Sequence, residues 1–350
     1  MRQVELAPGI FHLQGGSNMG LAVQDGKGLL IDAGLDKDAA RQALRAAEGL
    51  GVTLEAALLT HAHADHFGGA YLLQQRLGVP LYAPGLEAAM MEHPILEPLY
   101  LFGGAAPIEE LRGKFTLAQA CRIEHVILNR QDAKNAKEIR GDLAPLASSR
   151  GTTPSNTQRG DYTTTKVVTT GKETTEVVTT SYPLEIGPFR VEVVRLPGHA
   201  PNQVGVAVGE VFFCADAVFP AETLEKHKLT FCVDLDETLA TLQRLPGLPY
   251  ARFAPGHGPA YRAGEEIAQA CAANRARLEE VRERVYTALE APQETPTLLR
   301  QVADAFGLRM TTATAYFLTQ TTVLAALSSL ERAGRVAVAM ESNRLVWRRT

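Results

Sequence analysis

Apolar positions along this chain fall in short runs whose period changes repeatedly. Leu21-Ala22-Val23 and Leu29-Leu30-Ile31 flank the turn residues Asp25-Gly26, which predicts two short strands. From Asp38 to Leu50 the spacing is helical, and Gly51 supplies the stop. Ala56-Ala57-Leu58-Leu59-Thr60 is a further strand, Ala70–Leu77 a helix ended by Gly78, and Val79–Ala83 the next strand. Strands alternating with helices predict an α/β domain.

The rhythm breaks between Asn129 and Tyr182. Gln131 to Gly160 is rich in Ala, Lys, Asp, Ser, Thr and Arg and has no sustained apolar period. A ten-residue repeat follows, Thr164–Thr170 and then Thr174–Thr180, each centred on a Val-Val pair. Adjacent valines point to opposite faces of a strand, so neither copy has a clean buried side. The copies could pair as a hairpin across Gly171-Lys172, but the composition favours a flexible or weakly ordered insertion. Asn129–Lys137 also resembles translated genomic repeat elements found inside some bacterial proteins. Removal of residues 131–181 is therefore expected to leave the fold and metal content nearly unchanged, as measured by circular dichroism and elemental analysis.

Regular pattern resumes at Tyr182. Phe189–Leu196, Val204–Val208, Val211–Cys214 and Tyr250–Ala254 read as strands, Asp236–Leu245 as a helix, and Glu265–Leu289 as a long amphipathic helix. From Glu294 the pattern is that of a small separate unit. Helices at Pro296–Phe306 and Thr311–Ala333 precede strands Arg335–Met340 and Asn343–Trp347, joined at Glu341-Ser342. Helices followed by a hairpin are the winged-helix plan. The division expected is a catalytic domain over 1–262, interrupted at about 129–182, a linking helix over 263–292 and a winged-helix-like domain over 293–350.

Bulk composition narrows the classes little. The 350 residues are 45% hydrophobic and 21% charged, ordinary for a globular protein. A net charge of −4 gives no global field for nucleic acid or an anionic membrane. No segment approaches the ~18 uninterrupted apolar residues of a membrane span. The opening residues Met1–Glu5 start no long apolar run, so no signal peptide is expected and the expected location is cytoplasmic. Cys121, Cys214, Cys232 and Cys271 form no C-x-x-C pair, which predicts reduced, buried thiols.

The chemistry is concentrated where apolar strands run out. His61-Ala62-His63-Ala64-Asp65-His66 follows the Ala56–Thr60 run. Residues two apart in an extended segment point the same way, so His61 and His63 can grip one ion. The chain must then turn, and Asp65 and His66 leave at an angle suited to a second ion. Pro197-Gly198-His199, Asp216 and Pro255-Gly256-His257 each follow another strand, and Asp32 closes Leu29-Leu30-Ile31. His12, His93, His125 and His227 lack such a context and are expected to be structural or exposed, with His93 or His227 as candidates for the substrate entrance.

These motifs, in this order from about Asp32 to His257, resemble the metallo-β-lactamase fold superfamily of hydrolases. The resemblance implies a four-layer αββα sandwich. It implies that His61, His63 and His199 hold one metal, that Asp65, His66 and His257 hold another, and that Asp216 bridges both. Asp32 would be an outer carboxylate near the site or a structural one. Imidazole and carboxylate donors suit two Zn²⁺ ions, with Fe or Mn as alternatives. The diiron flavoprotein relatives usually have a glutamate at the position matching His63. Two such ions can hold a hydroxide that attacks at neutral pH, with Asp65 orienting it or passing its proton and Asp216 between the metals.

The bond attacked is less legible. Thr60, Gly68-Gly69, Pro197–Pro201 and Gly256–Pro259 resemble the glyoxalase II-like and thioesterase-like branches, which implies a small-molecule ester or thioester. The carboxy-terminal segment resembles the β-lactamase-like protein 2 group, some of whose members act on single-stranded RNA. From Glu294 onward Arg300, Arg309, Arg332, Arg335, Arg344, Arg348 and Arg349 outnumber Glu294, Asp304, Glu331 and Glu341 by three. That surplus is small for phosphate binding. Packing on the catalytic domain or a homodimer contact is the preferred role for this segment. The ester or thioester hydrolase ranks first, a metal-dependent endoribonuclease second and a winged-helix DNA-binding regulator third.

Overall fold

The computed structural model describes residues 1–127, 163–165 and 179–350. Its first sheet has seven strands in chain order: β1 (Arg2–Ala7), β2 (Ile10–Gln14), β3 (Met19–Gln24), β4 (Lys27–Ile31), β5 (Thr53–Leu58), β6 (Leu81–Pro84) and β7 (His125–Ile127). Tight turns make β1 to β4 antiparallel. From β4 to β7 the pairing is parallel, since each crossover carries helix. Those helices are α1 (Lys37–Gly49), then α2 (Ala64–Phe67) with α3 (Ala70–Leu77), then α4 (Gly85–Glu92) with α5 (Leu96–Leu101).

The second sheet runs in the reverse order, with β14 (Tyr261–Arg262) at one edge, then β13 (Arg252–Pro255), β12 (Val211–Ala215), β11 (Val204–Val208), β10 (Phe189–Arg195), β9 (Thr179–Ile186) and β8 (Thr163–Thr165). Only β12 and β13 pair in parallel, and α6 (Ala221–His227) and α7 (Leu235–Arg244) lie between them in the chain. Then come α8 (Glu265–Ala288), α9 (Thr295–Ala305), α10 (Ala313–Arg332) and the hairpin β15 (Val336–Glu341) and β16 (Arg344–Arg349).

Strand period explains why the central runs are apolar throughout. Leu29 and Ile31 of β4 face the space between the sheets, where they join Val193, Val206 and Phe213. Leu30 points the other way, into a core with Ala40, Ala43 and Leu73 of α1 and α3. In β12, Val211 and Phe213 enter the inter-sheet core, while Phe212 and Cys214 enter an outer core with Ile267, Cys271 and Leu278 of α8. Both faces of each central strand are thus buried, and the layers are αββα. All four cysteines are buried and free, as expected.

The outer core of the second sheet does not stop at α8. It continues through Leu298, Leu299 and Val302 of α9 to Val323, Leu327 and Leu330 of α10. The hydroxyl of Thr322 donates to the Thr230 carbonyl at 3.1 Å, and that of Ser329 to Asp236 at 2.6 Å. Arg332 donates to Asp234 and Asp236 as well.

Elements between β6 and β7 carry little pattern in the sequence. Helix α4 buries Glu87, Ala88, Met90 and Met91 and exposes Leu86 and Ala89 beside Glu92, so it lacks the polar stripe that marks a surface helix. Order in the second sheet begins earlier than Tyr182: β9 starts at Thr179 and its Ser181 pairs with Val194. A deletion meant to spare β9 should therefore end before Thr179, although it removes the edge strand β8. Thr164 pairs with Thr180 and Thr165 with Thr179, the sense expected of the two repeat copies. Most of the insertion, 128–162 and 166–178, lies outside the described residues. Among the described residues no helix is long and apolar enough to cross a membrane.

Candidate metal centre

Seven side chains converge at the ends of strands from both sheets. β5 stops at Leu58 and the chain stays extended through His63 (φ −75°, ψ 138°), which opens α2. His61 and His63 therefore lie on one side, with ring centroids 4.7 Å apart. The single turn of α2 then swings Asp65 and His66 around. β10, β12 and β13 deliver His199, Asp216 and His257 from the second sheet. The position before Asp216, Ala215, has φ 47°, a left-handed backbone unusual for alanine and of a kind that clusters at functional sites.

Potential ligand atoms of His61, His63 and His199 lie within 4.8 Å of one another, as do those of Asp65, His66 and His257, and those of His61, His66 and Asp216. His63 Nδ1 and His199 Nε2 are 2.8 Å apart. Asp216 joins the two sides: Oδ1 is 3.3 Å from His66 Nε2, and Oδ2 is 3.4 Å from both His199 Nε2 and His257 Nε2. Asp65 Oδ2 is 3.4 Å from His257 Nε2. All seven expected ligands thus come together.

Residues 13–257, more than half of the chain, match the Metallo-beta-lactamase superfamily. This chain belongs to the metallo-β-lactamase superfamily. A hydroxyacylglutathione hydrolase of Xanthomonas campestris pv. campestris is 45% identical over 68 residues, which are 19% of this chain and 25% of that one. The chain thus spans about a quarter of the length of the curated relatives it matches. Among solved structures, a metallo-beta-lactamase family protein from Thermus thermophilus superposes with a TM-score of 0.64 at 18% identity, covering 99% of this chain and all of the other. A beta-lactamase domain protein from Burkholderia ambifaria gives 0.61 at 18% identity, over 99% of this chain and 93% of that one. The likeness in fold therefore includes the carboxy-terminal helices and hairpin.

Metallo-β-lactamase superfamily members are generally metal-dependent hydrolases, and the donor set here fits a cation. His61 Nε2, His66 Nε2 and Asp216 Oδ1 are buried at the centre of the cluster without a hydrogen-bond partner. Orphaned buried polar atoms are costly unless something such as an ion satisfies them. The other ring nitrogens are engaged outward. Nδ1 of His66 bonds Asp32 at 2.9 Å, Nδ1 of His199 the Phe231 carbonyl at 2.9 Å, Nδ1 of His257 the Gly16 carbonyl at 3.0 Å, and Nδ1 of His61 the Thr60 hydroxyl at 3.0 Å. Such outer partners set tautomer and ring orientation. Asp32 also accepts both the amide and the hydroxyl of Thr60, at 2.8 and 2.9 Å, so it serves structure and site together.

Protonation divides the cluster. Burial, followed by repulsion from neighbouring histidines, holds His61 far below its usual range and His63 down to about 3. Burial also lowers His199. These imidazoles are neutral, the form a cation needs. Burial opposes charge on His66 and His257 too, but Asp216 and Asp65 overcome it and lift His257 to about 10. Against the same burial, His66 and His257 hold Asp65 down to about 2. Protons on these two histidines balance the carboxylates, and a bound ion would displace them.

The two Pro-Gly-His tripeptides use glycine differently. Gly198 has φ +124°, and a Cβ there would fall 2.4 Å from Thr238 N. At Gly256 a Cβ would stand 2.1 Å from Asp216 Oδ1.

Several supporting residues were not legible in the chain. Asn18 donates from Nδ2 to the Pro255 and Gly258 carbonyls at 3.0 and 2.7 Å, pinning the His257 loop. The Ser17 hydroxyl donates to the Asp65 carbonyl. Buried Glu87 bonds the loop of His61 and His63, and its only signal is a charge inside the apolar run Leu86–Met91. His12, expected to be structural, is buried against the back of the site, donating from Nε2 to the Pro255 carbonyl at 3.2 Å and accepting at Nδ1 from Gln14. His125 stacks on Tyr82, and His93 and His227 are exposed.

The bond His12 accepts at Nδ1 requires the neutral ring, and burial lowers it from 6.5 to about 4 against the opposing effect of the Pro255 bond. The unfolded chain therefore binds the extra proton first as pH falls. Stability from this group is complete above pH 6.5 and is lost towards pH 4, with a slope of at most ~1.4 kcal/mol per unit. Between pH 7 and 5, urea unfolding of the native chain should lose about 2 kcal/mol more than that of His12→Gln. Equal losses would mean that His12 is not held neutral.

Proposed function

We propose that this protein is a dinuclear zinc hydrolase acting on a small-molecule ester or thioester. His61, His63 and His199 would hold one ion, Asp65, His66 and His257 the other, with Asp216 between them. Ions held there would lower the pKa of water towards ~7 and polarise a carbonyl, supplying nucleophile and electrophile without a Ser or Cys. The protein's own groups do the rest. Asp65 is the more open of the two cluster carboxylates, 30% exposed against 6% for Asp216, so its Oδ2 is placed to take a proton and pass it to solvent.

The observation carrying the substrate class is the wall of the site. The Phe231 ring lies 5.2 Å from His63 and 5.6 Å from His199, and Phe219 lies 5.7 Å from His199 and 6.1 Å from His257. Aromatic rings beside the ligands, mostly edge-on, make an apolar wall that suits an acyl or thiol group. Among the described residues, ion pairs of the seven ligands run only to one another and to Asp32. A phosphodiester would call for converging cations instead.

Four of the seven carboxy-terminal arginines support the same choice. Arg332 pairs with Asp234 and Asp236, Arg335 with Glu283 and Arg344 with Glu294, while Arg349 donates to the Tyr286 and Thr287 carbonyls. Cations so engaged serve packing. On this reading residues 1–262 are the catalytic domain, 263–292 a linking helix and 293–350 a winged-helix-like unit that braces it. The short match to a hydroxyacylglutathione hydrolase favours an acylated thiol.

S-lactoylglutathione, a generic thioester and single-stranded RNA should be tested side by side with the metal-loaded protein. Turnover of a thioester that chelation abolishes is the expected result. Cleavage of RNA alone would overturn the substrate class, and tight duplex DNA binding with no turnover would favour a regulator.

A further inference from the structure

Glu87 is fully buried on α4, in a helix whose other inward residues are Ala88, Met90 and Met91. A carboxyl group in such a place needs bonding partners to offset the loss of water. Its oxygens divide between two loops: Oε2 accepts the amide of Ala62 at 2.9 Å, and Oε1 accepts the amide of Asn202 at 2.8 Å. Ala62 is the residue between His61 and His63, and Asn202 stands three residues after His199. The three imidazoles of one candidate metal group thus come from two segments of the chain, and Glu87, from a third, holds both. Beside this clamp the Val204 amide donates to the Thr60 carbonyl at 3.1 Å. Neither bond of Glu87 reaches the loops of Asp65, His66 or His257.

We propose that Glu87 is a positioning residue for the His61–His63–His199 metal group, clamping its two loops so that the three ring nitrogens converge. The inference rests on the metal reading above. A carboxylate is required because two amide donors arrive at once. Glutamine has the same shape but only one acceptor oxygen, and its NH₂ would face one of the two N–H groups. Asp32 bonds His66 directly and reaches His61 only through Thr60, so the group of Asp65, His66 and His257 should depend on Glu87 far less.

Zn²⁺ titration against a chromogenic chelator reads this directly, in wild type, Glu87→Gln, His257→Ala and the double variant. His257→Ala leaves the three-histidine group as the main site. Glu87→Gln should weaken one of the two wild-type ions about 10- to 100-fold, as outer partners of metal ligands usually do, and the other by much less. In the His257→Ala background it should weaken the remaining ion by the same factor. Unchanged affinity in both backgrounds would overturn the proposal, as would equal weakening of both ions, which marks a general structural role. A wild type that binds no zinc would instead remove the metal reading itself. Hydrogen exchange supplies a test that survives misfolding of the variant: in the native chain the Ala62 and Asn202 amides should be protected together. Exchange of either at loop-like rates would overturn the clamp.

Discussion

Asp216→Ala should reduce thioester hydrolysis by about four orders of magnitude or more, since enzymes typically accelerate reactions by roughly 10⁶-fold or greater and this change removes the centre of the site. The carboxylate is buried, with oxygens 3.3 to 3.4 Å from nitrogens of His66, His199 and His257. Its oxygens lie between histidines of the two candidate metal groups. With Asp65 it raises His66 and His257 against burial, so its loss alters both affinity and protonation. Metal content should fall below two ions per chain, as read by elemental analysis. The fold should persist, because taking a charge out of a buried cluster relieves desolvation as well as removing attraction. His61→Ala removes the residue shared by two of the candidate groups and should act likewise. Variants at His61 and Asp216 that both kept full turnover would refute metal-dependent hydrolysis.

Gly256→Ala should disable the site almost as completely without touching a ligand. The added methyl would sit 2.1 Å from Asp216 Oδ1 and 2.7 Å from His66 Cε1, far inside contact distance. The backbone cannot easily withdraw. The Gly256 amide donates to the Ala215 carbonyl at 2.7 Å, and its own carbonyl accepts from the Asn18 amide at 2.7 Å. Either Asp216 and His66 move apart, losing the metal geometry, or the loop shifts against Asn18. An overpacked interior of this kind costs about 1–3 kcal/mol, measurable by urea unfolding, and metal content should drop with it. A variant with native stability and two bound ions would show the strand-end loops to be looser than these hydrogen bonds require.

Much of this site is legible in the chain alone. Histidines and carboxylates at strand ends announce themselves because strand period and turn chemistry are local. His61 and His63 lie two apart in extended chain, and the turn at α2 that redirects Asp65 and His66 follows at once. Their outer partners are not legible. The carbonyls of Phe231 and Gly16 hold His199 and His257, but a carbonyl belongs to every residue and leaves no mark in sequence. Asp32 stands open in sequence between a structural and a supporting role, and in the fold it bonds both Thr60 and His66.

Element boundaries follow the same logic. The central strands are found within a few residues, since Leu29 to Ile31 and Val211 to Cys214 are buried on both faces and read as unbroken apolar runs. Helix α4 is invisible in sequence because its exposed face carries the apolar Leu86 and Ala89 beside Glu92, while the charged Glu87 is buried. A similar ambiguity attends the carboxy-terminal helices. Their apolar stripes are plain in sequence, but a stripe does not name the surface that covers it. In the folded chain that surface is the outer core of the second sheet, shared by Val281 of α8, Val302 of α9 and Leu330 of α10. By itself, then, the sequence determined which chemical groups stand at the strand ends, because those choices are local. Only the tertiary structure decided which groups meet, because convergence of His63 with His199 across 136 residues depends on how two sheets stack.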